Sequence, residues 1–198
     1  PTAASPRYTG PVEIGKSARF RATALREGGE NASYSREFAF SKSTGRPAVL
    51  NTKPNDSYTF EGASLLVDGY HSRPVFTSGA WLGYLDEPLD VTIDMGGEQS
   101  YRSVELETLA EKGDWIFPPS SVTVWVSDNG TDFTEVASVA VPEAKAGDAD
   151  GIGRYRMQFP ETSARYLKVV AQNAAAIPAW HPGAGSKGFL FVDEVVVE

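Results

Sequence analysis

No cysteine occurs among the 198 residues, so the fold draws on no disulfide, no thiolate metal site and no thiol redox chemistry. Histidine is nearly as scarce. The only two, His71 and His181, lie far apart in sequence, show no base-and-orienter pattern and make a poor zinc site. No Gly-x-Ser-x-Gly elbow stands between a strand and a helix, and no glycine-rich loop has the setting of a nucleotide site. No apolar run approaches the length of a membrane span. Positive charge is short as well: 18 Lys and Arg face 26 Asp and Glu, for a net charge of -8 and a pI near 4.9. That balance argues against binding nucleic-acid phosphates or anionic lipid and leaves neutral partners such as sugars open. Convincing helical periodicity is missing throughout.

What is present is alternation. Segments rich in Val, Thr, Tyr and Phe are separated by Gly, Pro and Asn-Gly or Asp-Gly breaks, the pattern of an all-β chain. Ser17 to Glu27 and Ala32 to Lys42 alternate on either side of "GGEN" and predict a hairpin. The Pro-rich, polar stretch Ser43 to Asp56 reads as a linker or domain boundary. Seven further strands are predicted over Leu89–Gly96, Tyr101–Ala110, Ser121–Ser127, Phe133–Val141, Gly153–Phe159, Ala164–Asn173 and Gly188–Glu198. Their spacing suits a sandwich or jelly roll. Asn129-Gly130 marks a tight turn between two of them. Val141 to Asp150 reads as an acidic loop or at most a short helix. The opening "PTAASPRYTG" has no initiator Met and no signal peptide, and the chain is expected to be a piece of a longer protein.

Two stretches carry a resemblance. "PTAASPRYTGPVEIGKSARFRATAL" resembles the second half of the small Ig-like module that follows the catalytic barrel in bacterial β-hexosaminidases and chitobiases, through Pro1, Thr2, Ser5, Tyr8, Gly10 and Pro11. From about Tyr58 onward, "TFEGASLLVDGY", "WLGY", "VTIDMG", "WIFPPSSVTVWVSDNGTDF", "RYLKVVAQN" and "WHPGAG…FLFVDEVVV" together resemble the discoidin-like, coagulation-factor type C domain. The resemblance is strongest to the copy at the C-terminus of family-twenty glycoside hydrolases. It implies a partial Ig-like module over residues 1–45 and a jelly-roll β-sandwich over 46–198. It further implies a non-catalytic carbohydrate-binding role beside a β-N-acetylhexosaminidase catalytic domain, in a periplasmic, cell-surface or secreted setting. A purely structural spacer is the alternative.

The candidate sites divide in two. Asp193 and Glu194 are neighbours on a strand and so point to opposite faces, which denies them the facing pair that glycoside hydrolysis needs. One facing inward would need a partner, and calcium, which takes carboxylate and carbonyl oxygens, is a natural one. The resemblance implies a structural Ca²⁺ held by Asp68 and Glu194 with main-chain oxygens near Leu65 and Tyr70. The competing reading makes Asp68-Gly69 a plain turn and pairs Glu194 with an arginine such as Arg73. The acidic run Asp148 to Gly151 is a second, weaker calcium candidate. A sugar site needs an exposed aromatic platform and a few fixed hydrogen-bonding groups. Three loop clusters offer them: His71 and Arg73; Trp115 and Phe117; Trp180 and His181, the last with a competing reading as a packed corner that holds the loops together. The expected ligand is a glycan ending in a hexosamine or galactose-type sugar. Trp81 and Trp125 are expected in the core, Trp125 because it alternates within a strand.

Overall fold

The computed structural model describes residues 1–2, 4–26 and 31–198. The chain forms two compact units, Pro1–Phe40 and Ser41–Glu198. In the first, β1 (Ala18–Ala24) and β2 (Ala32–Phe38) pair antiparallel, from Ala18 opposite Phe38 to Ala24 opposite Ala32. This is the predicted hairpin. Its expected turn, apart from Asn31, lies outside the described residues.

The second unit holds the remaining strands: β3 (Ala48–Leu50), β4 (Leu82–Tyr84), β5 (Leu89–Ala110), β6 (Ser121–Ser127), β7 (Thr134–Ala140), β8 (Gly151–Gln172) and β9 (Leu190–Val197). Their hydrogen-bonded order is β4-β9-β5-β8-β6-β7, with β3 on β5. Four of the predicted strands are in fact two, because β5 and β8 each run for 22 residues. Their mutual register breaks between Asp94 and Gln99 and again between Tyr101 and Ser103. Irregularities of this kind bend strands. On one side of the break β5 and β8 pair with β3 and β6; on the other, β5 pairs with β9. One pair of strands thus serves two layers. Inward residues of both layers, among them Val91, Val124 and Val169 from one and Leu106, Val192 and Val195 from the other, form a single buried cluster. The architecture is the expected antiparallel jelly-roll sandwich.

Two expectations need correction. The stretch from Ser43 is no linker. The Ser43 hydroxyl donates to the Val195 carbonyl at 2.5 Å, and β3 adds to the sheet edge. Residues 41–45 therefore belong with the second unit. Trp125 is not a core residue. Val122, Val124 and Val126 take the inward side of β6, which leaves Trp125 half-buried on the outward side. Trp81 is fully buried as expected, and its Nε1–H donates to the Arg73 carbonyl at 3.0 Å.

A second apolar cluster of Trp81, Leu109, Ile116 and Phe191, joined by Tyr58, Phe76, Ile152 and Phe189, sits beneath the loops that carry the candidate site residues. Phe191 is 1% exposed and lies edge-on to Tyr58 at 4.7 Å. Phe191→Ala is expected to lower stability by about 3–5 kcal/mol, measured by denaturant unfolding. A loss below about 1 kcal/mol would contradict this packing.

Candidate carbohydrate and cation site

The site is built on an irregularity of β9. Leu106 of β5 pairs with Val195, but Thr108 pairs with Val192. Two β9 residues, Asp193 and Glu194, therefore stand opposite the single Glu107. A bulge of this kind suspends strict alternation. Both carboxylates are buried, at 1% and 0% exposure, and both receive hydrogen bonds from one loop, contrary to the expected opposite orientations. Glu194 Oε1 accepts from the Gly69 N–H at 3.2 Å. Asp193 accepts from the Ser72 N–H at 2.7 Å and from the Ser72 hydroxyl at 3.1 Å.

The loop is shaped to reach them. The short 3-10 helix Gly62–Val67 ends at Asp68, and Gly69 then turns the chain with φ of 74°, a conformation glycine adopts without cost. Asp68 Oδ1 accepts from the Tyr70 N–H at 2.7 Å. Burial pushes Asp193 up to about 7, with the charge of Glu107 adding to it. Burial and then the charges of Asp68 and Asp193 push Glu194 up to about 9.

This geometry bears on the expected calcium. Glu194 Oε2 is buried without a hydrogen-bond partner among the described residues. No ion pair joins Arg73 to Glu194 there, and Arg73 is exposed. No three His, Cys, Asp or Glu side chains among the described residues are arranged to hold a metal by themselves, so a cation would draw on main-chain carbonyls too. An orphaned carboxylate oxygen, a second carboxylate at Asp68 and a sharply turned backbone suit a hard cation. The loop at Asp148 to Gly151 suits one less well. Asp150 pairs with the buried Lys112, and Asp148 caps its own turn at the Lys145 N–H, at 2.8 Å.

Beside the carboxylates lies a polar triad. His71 Nδ1–H donates to Glu107 Oε2 at 3.0 Å, and Arg154 Nε–H donates to the same oxygen at 2.8 Å. Glu107 and Arg154 sit directly opposite one another on β5 and β8. Glu107 is 1% exposed, whereas the side chains of His71 and Arg154 are 30% and 53% exposed. One buried carboxylate therefore fixes two basic groups from behind and leaves their outer nitrogens to solvent. The Glu107 hydrogen bond raises the His71 pKa above its usual value. Glu107 and Arg154 were not among the sequence candidates. A Glu inside the apolar alternation of β5 was the available signal, but its partners come from distant segments.

The aromatic corner is divided. Phe117 is 1% exposed, and His181 is buried with both ring nitrogens engaged. Nε2–H donates to the Lys112 carbonyl at 2.9 Å, and Nδ1 accepts from the Gly183 N–H at 3.0 Å. These two expected ligand residues are packing groups with nothing left to offer a sugar. Trp115 and Trp180 keep 41% and 40% of their surface exposed. Trp115, held with φ of 65°, lies against Gly183, where a Cβ would come within 2.8 Å of the indole ring. Trp180 Nε1–H donates to the Ala144 carbonyl at 3.0 Å. The corner thus props two indoles at the surface around a buried His and Phe.

Comparison with known proteins agrees with the fold. The model of the F5/8 type C domain family matches residues 51–187. No curated protein matches the sequence. Among solved structures, the chain is similar to CpGH89CBM32-5 of Clostridium perfringens in complex with GalNAc-β-1,3-galactose, at TM-score 0.54 and 16% identity, over 80% of this chain and 99% of that one. It is similar to chitosan-binding module 1 from a Paenibacillus sp. IK-5 chitosanase/glucanase at TM-score 0.50 and 16% identity, over 80% and 98%. It also matches a Ruminococcus gnavus GH29 fucosidase at TM-score 0.51 and 11% identity, covering 80% of this chain and 26% of that one. At these identities the likeness shows the fold.

The carboxylate cluster has a consequence for pH. Unfolded, Asp193 and Glu194 titrate near about 4; folded, they hold protons to about 7 and about 9. The native state then binds more protons across this range, so stability falls as pH rises through it. The raised pKa of His71 acts with the same sign. In chelator, the melting temperature is expected to decline from about pH 5 toward pH 9, and Glu194→Gln is expected to flatten the upper part of that decline. A melting temperature that climbs over this range would contradict the burial of these groups.

Proposed function

The chain belongs to the F5/8 type C domain family, and from that premise we propose that the Ser41–Glu198 unit is a non-catalytic carbohydrate-binding module. The observation that carries this reading is the His71–Glu107–Arg154 arrangement, two basic side chains anchored on one buried carboxylate and open to solvent on their outer sides. Sugar recognition needs hydrogen-bonding groups fixed before the ligand arrives, since side-chain ordering on binding costs affinity. The exposed faces of Trp115 and Trp180 offer apolar surface to the C–H faces of a pyranose. Arg73, exposed on the same loop as His71, is a further candidate contact. The sugars bound by the relatives, GalNAc-β-1,3-galactose among them, support a hexosamine or galactose-type ligand.

Calcium belongs to the same reading. Asp68 and Glu194, with the carbonyls of Leu65 and Tyr70, would hold one Ca²⁺. When bound, the ion supplies the positive charge that the clustered carboxylates lack. The wider setting follows from the sequence resemblance: a periplasmic, cell-surface or secreted β-hexosaminidase-type glycoside hydrolase, with Pro1–Phe40 as part of an Ig-like chitobiase C-terminal module. The catalytic domain is then the intramolecular partner. Tethering raises the effective concentration of its glycan, so millimolar affinity suffices. In a purely structural spacer the packing of Phe117 and His181 is expected, but the exposure of Trp115 and Trp180 has no role.

The test is calorimetric titration with galactose, N-acetylgalactosamine, N-acetylglucosamine and GalNAc-β-1,3-galactose in calcium. One of them is expected to bind saturably at up to millimolar concentration. His71→Ala and Arg154→Ala should each weaken it at least tenfold, and chelation should lower the melting temperature. Absence of binding by every sugar, with a melting temperature that still falls on chelation, would leave a calcium-stabilised spacer.

A further inference from the structure

A second surface is left unused by this reading. It lies on the outward side of the layer formed by β6, β7 and β8, where a shallow concavity of ≈ 440 Å³ is lined chiefly by Thr123, Trp125, Thr131, Phe133, Lys168 and Gln172. The sheet register assembles it. Trp125 is directly opposite Lys168, and Ser121 opposite Gln172. Phe133 enters from the turn before β7. Lys168 to Gln172 spans about 13 Å along β8, the reach of a short oligosaccharide.

Two of its three polar groups are uncommitted, and the third is held only by an aromatic ring. The Lys168 ammonium lies 4.0 Å over the Phe133 ring and makes no ion pair among the described residues. The Trp125 indole N–H and the Gln172 side-chain amide likewise make no hydrogen bonds there. Two half-buried aromatic rings with two free hydrogen-bonding groups and an ammonium that has no ion pair among the described residues are an unusual outlay for a solvent-facing sheet, where threonines and charges would serve. The charge around them selects the occupant. Glu135 stands opposite Trp125 on β7, and Asp90 stands opposite Val170 on β5. These carboxylates flank the one lysine, in a chain of net charge -8. An anionic sugar or a polyanion meets repulsion on both sides; a neutral pyranose meets none.

We propose that this face is a second glycan site, which takes a short neutral oligosaccharide lying along β8 with a pyranose face on Trp125, beside the Lys168–Phe133 pair. Its hydroxyls bond to Lys168 Nζ, Gln172 and the Trp125 N–H. The inference rests on the carbohydrate-binding reading of the unit but uses none of the same residues. Two sites on one module bind a long or branched glycan with greater avidity than either alone.

The test is an amide-shift titration of the full chain with tri-N-acetylchitotriose and, separately, GalNAc-β-1,3-galactose, two neutral probes, the second of them the ligand in the complex of a similar structure. At least one probe is expected to shift residues 123–125, 131–133 and 168–172 saturably. Trp125→Ala should weaken that response at least tenfold while leaving any response around His71 and Arg154 in place. Phe133→Ala, in an exposed turn, provides the same check should Trp125→Ala fail to fold. Shifts confined to the His71 loop would overturn the second site and keep the first. Shifts confined to the sheet would do the reverse, and no shifts with either probe would overturn both. Sheet shifts that follow protein concentration instead of sugar would assign the face to a second copy of the chain and overturn the proposal.

Discussion

The burial of two adjacent carboxylates in β9 is the constraint on which the functional end of this molecule depends. Asp193 and Glu194 cannot be left bare in a protein interior, because an unpaired buried charge costs far more than a lost hydrogen bond. The chain answers by bringing the loop of residues 68–72 onto them, so that the Gly69 and Ser72 amides and the Ser72 hydroxyl are consumed in satisfying them. His71 lies between those donors. Its position over Glu107 therefore follows from three hydrogen bonds made by Gly69 and Ser72, and the basic group that faces solvent is aimed by acidic groups that do not.

The same strand serves the core. Leu190, Val192, Val195 and Val197 are inward residues of the sandwich, and Phe191 anchors the second apolar cluster beneath the loops. Packing makes β9 rigid, the bulge turns two carboxylates out of its alternation, and the carboxylates in turn order the loop. Beside β9 in the same layer, β5 and β8 carry Glu107 and Arg154 in register. The polar triad thus draws two members from long, doubly paired strands and one from a loop tied to a third. Sites on such elements are held more closely than sites on free loops.

Much of this was legible in the sequence. Alternation and turn residues located most of the strands, and Asn129-Gly130 marked its hairpin, where Asn129 Oδ1 accepts from the Thr131 and Asp132 amides. Asp193 and Glu194 stood out as adjacent carboxylates on an apolar strand, and Asp68 came from the family resemblance of "LLVDGY". What was not legible depended on pairing. Strict alternation placed Asp193 and Glu194 on opposite faces, because a bulge is a property of two strands together. It placed Trp125 in the core, because period two says which residues share a face and not which face is inside. Phe117 and His181 were sugar candidates from their Pro- and Gly-rich loops with a packed corner as the competing reading, and only the fold decides between them, since His181 bonds the carbonyl of Lys112, far away in sequence. Glu107 and Arg154 were passed over for the same reason: a Glu and an Arg on separate strands become a unit only once the register is known.

The most direct test of this account is a crystal structure of the protein with calcium and a bound neutral hexosamine or galactose-type sugar. The account predicts a sugar ring whose hydroxyls contact His71 Nε2 and the Arg154 guanidinium, with an ion between Asp68 and Glu194. A sugar bound with neither His71 nor Arg154 in contact, or an Asp68–Glu194 pocket left empty at saturating calcium, would contradict it.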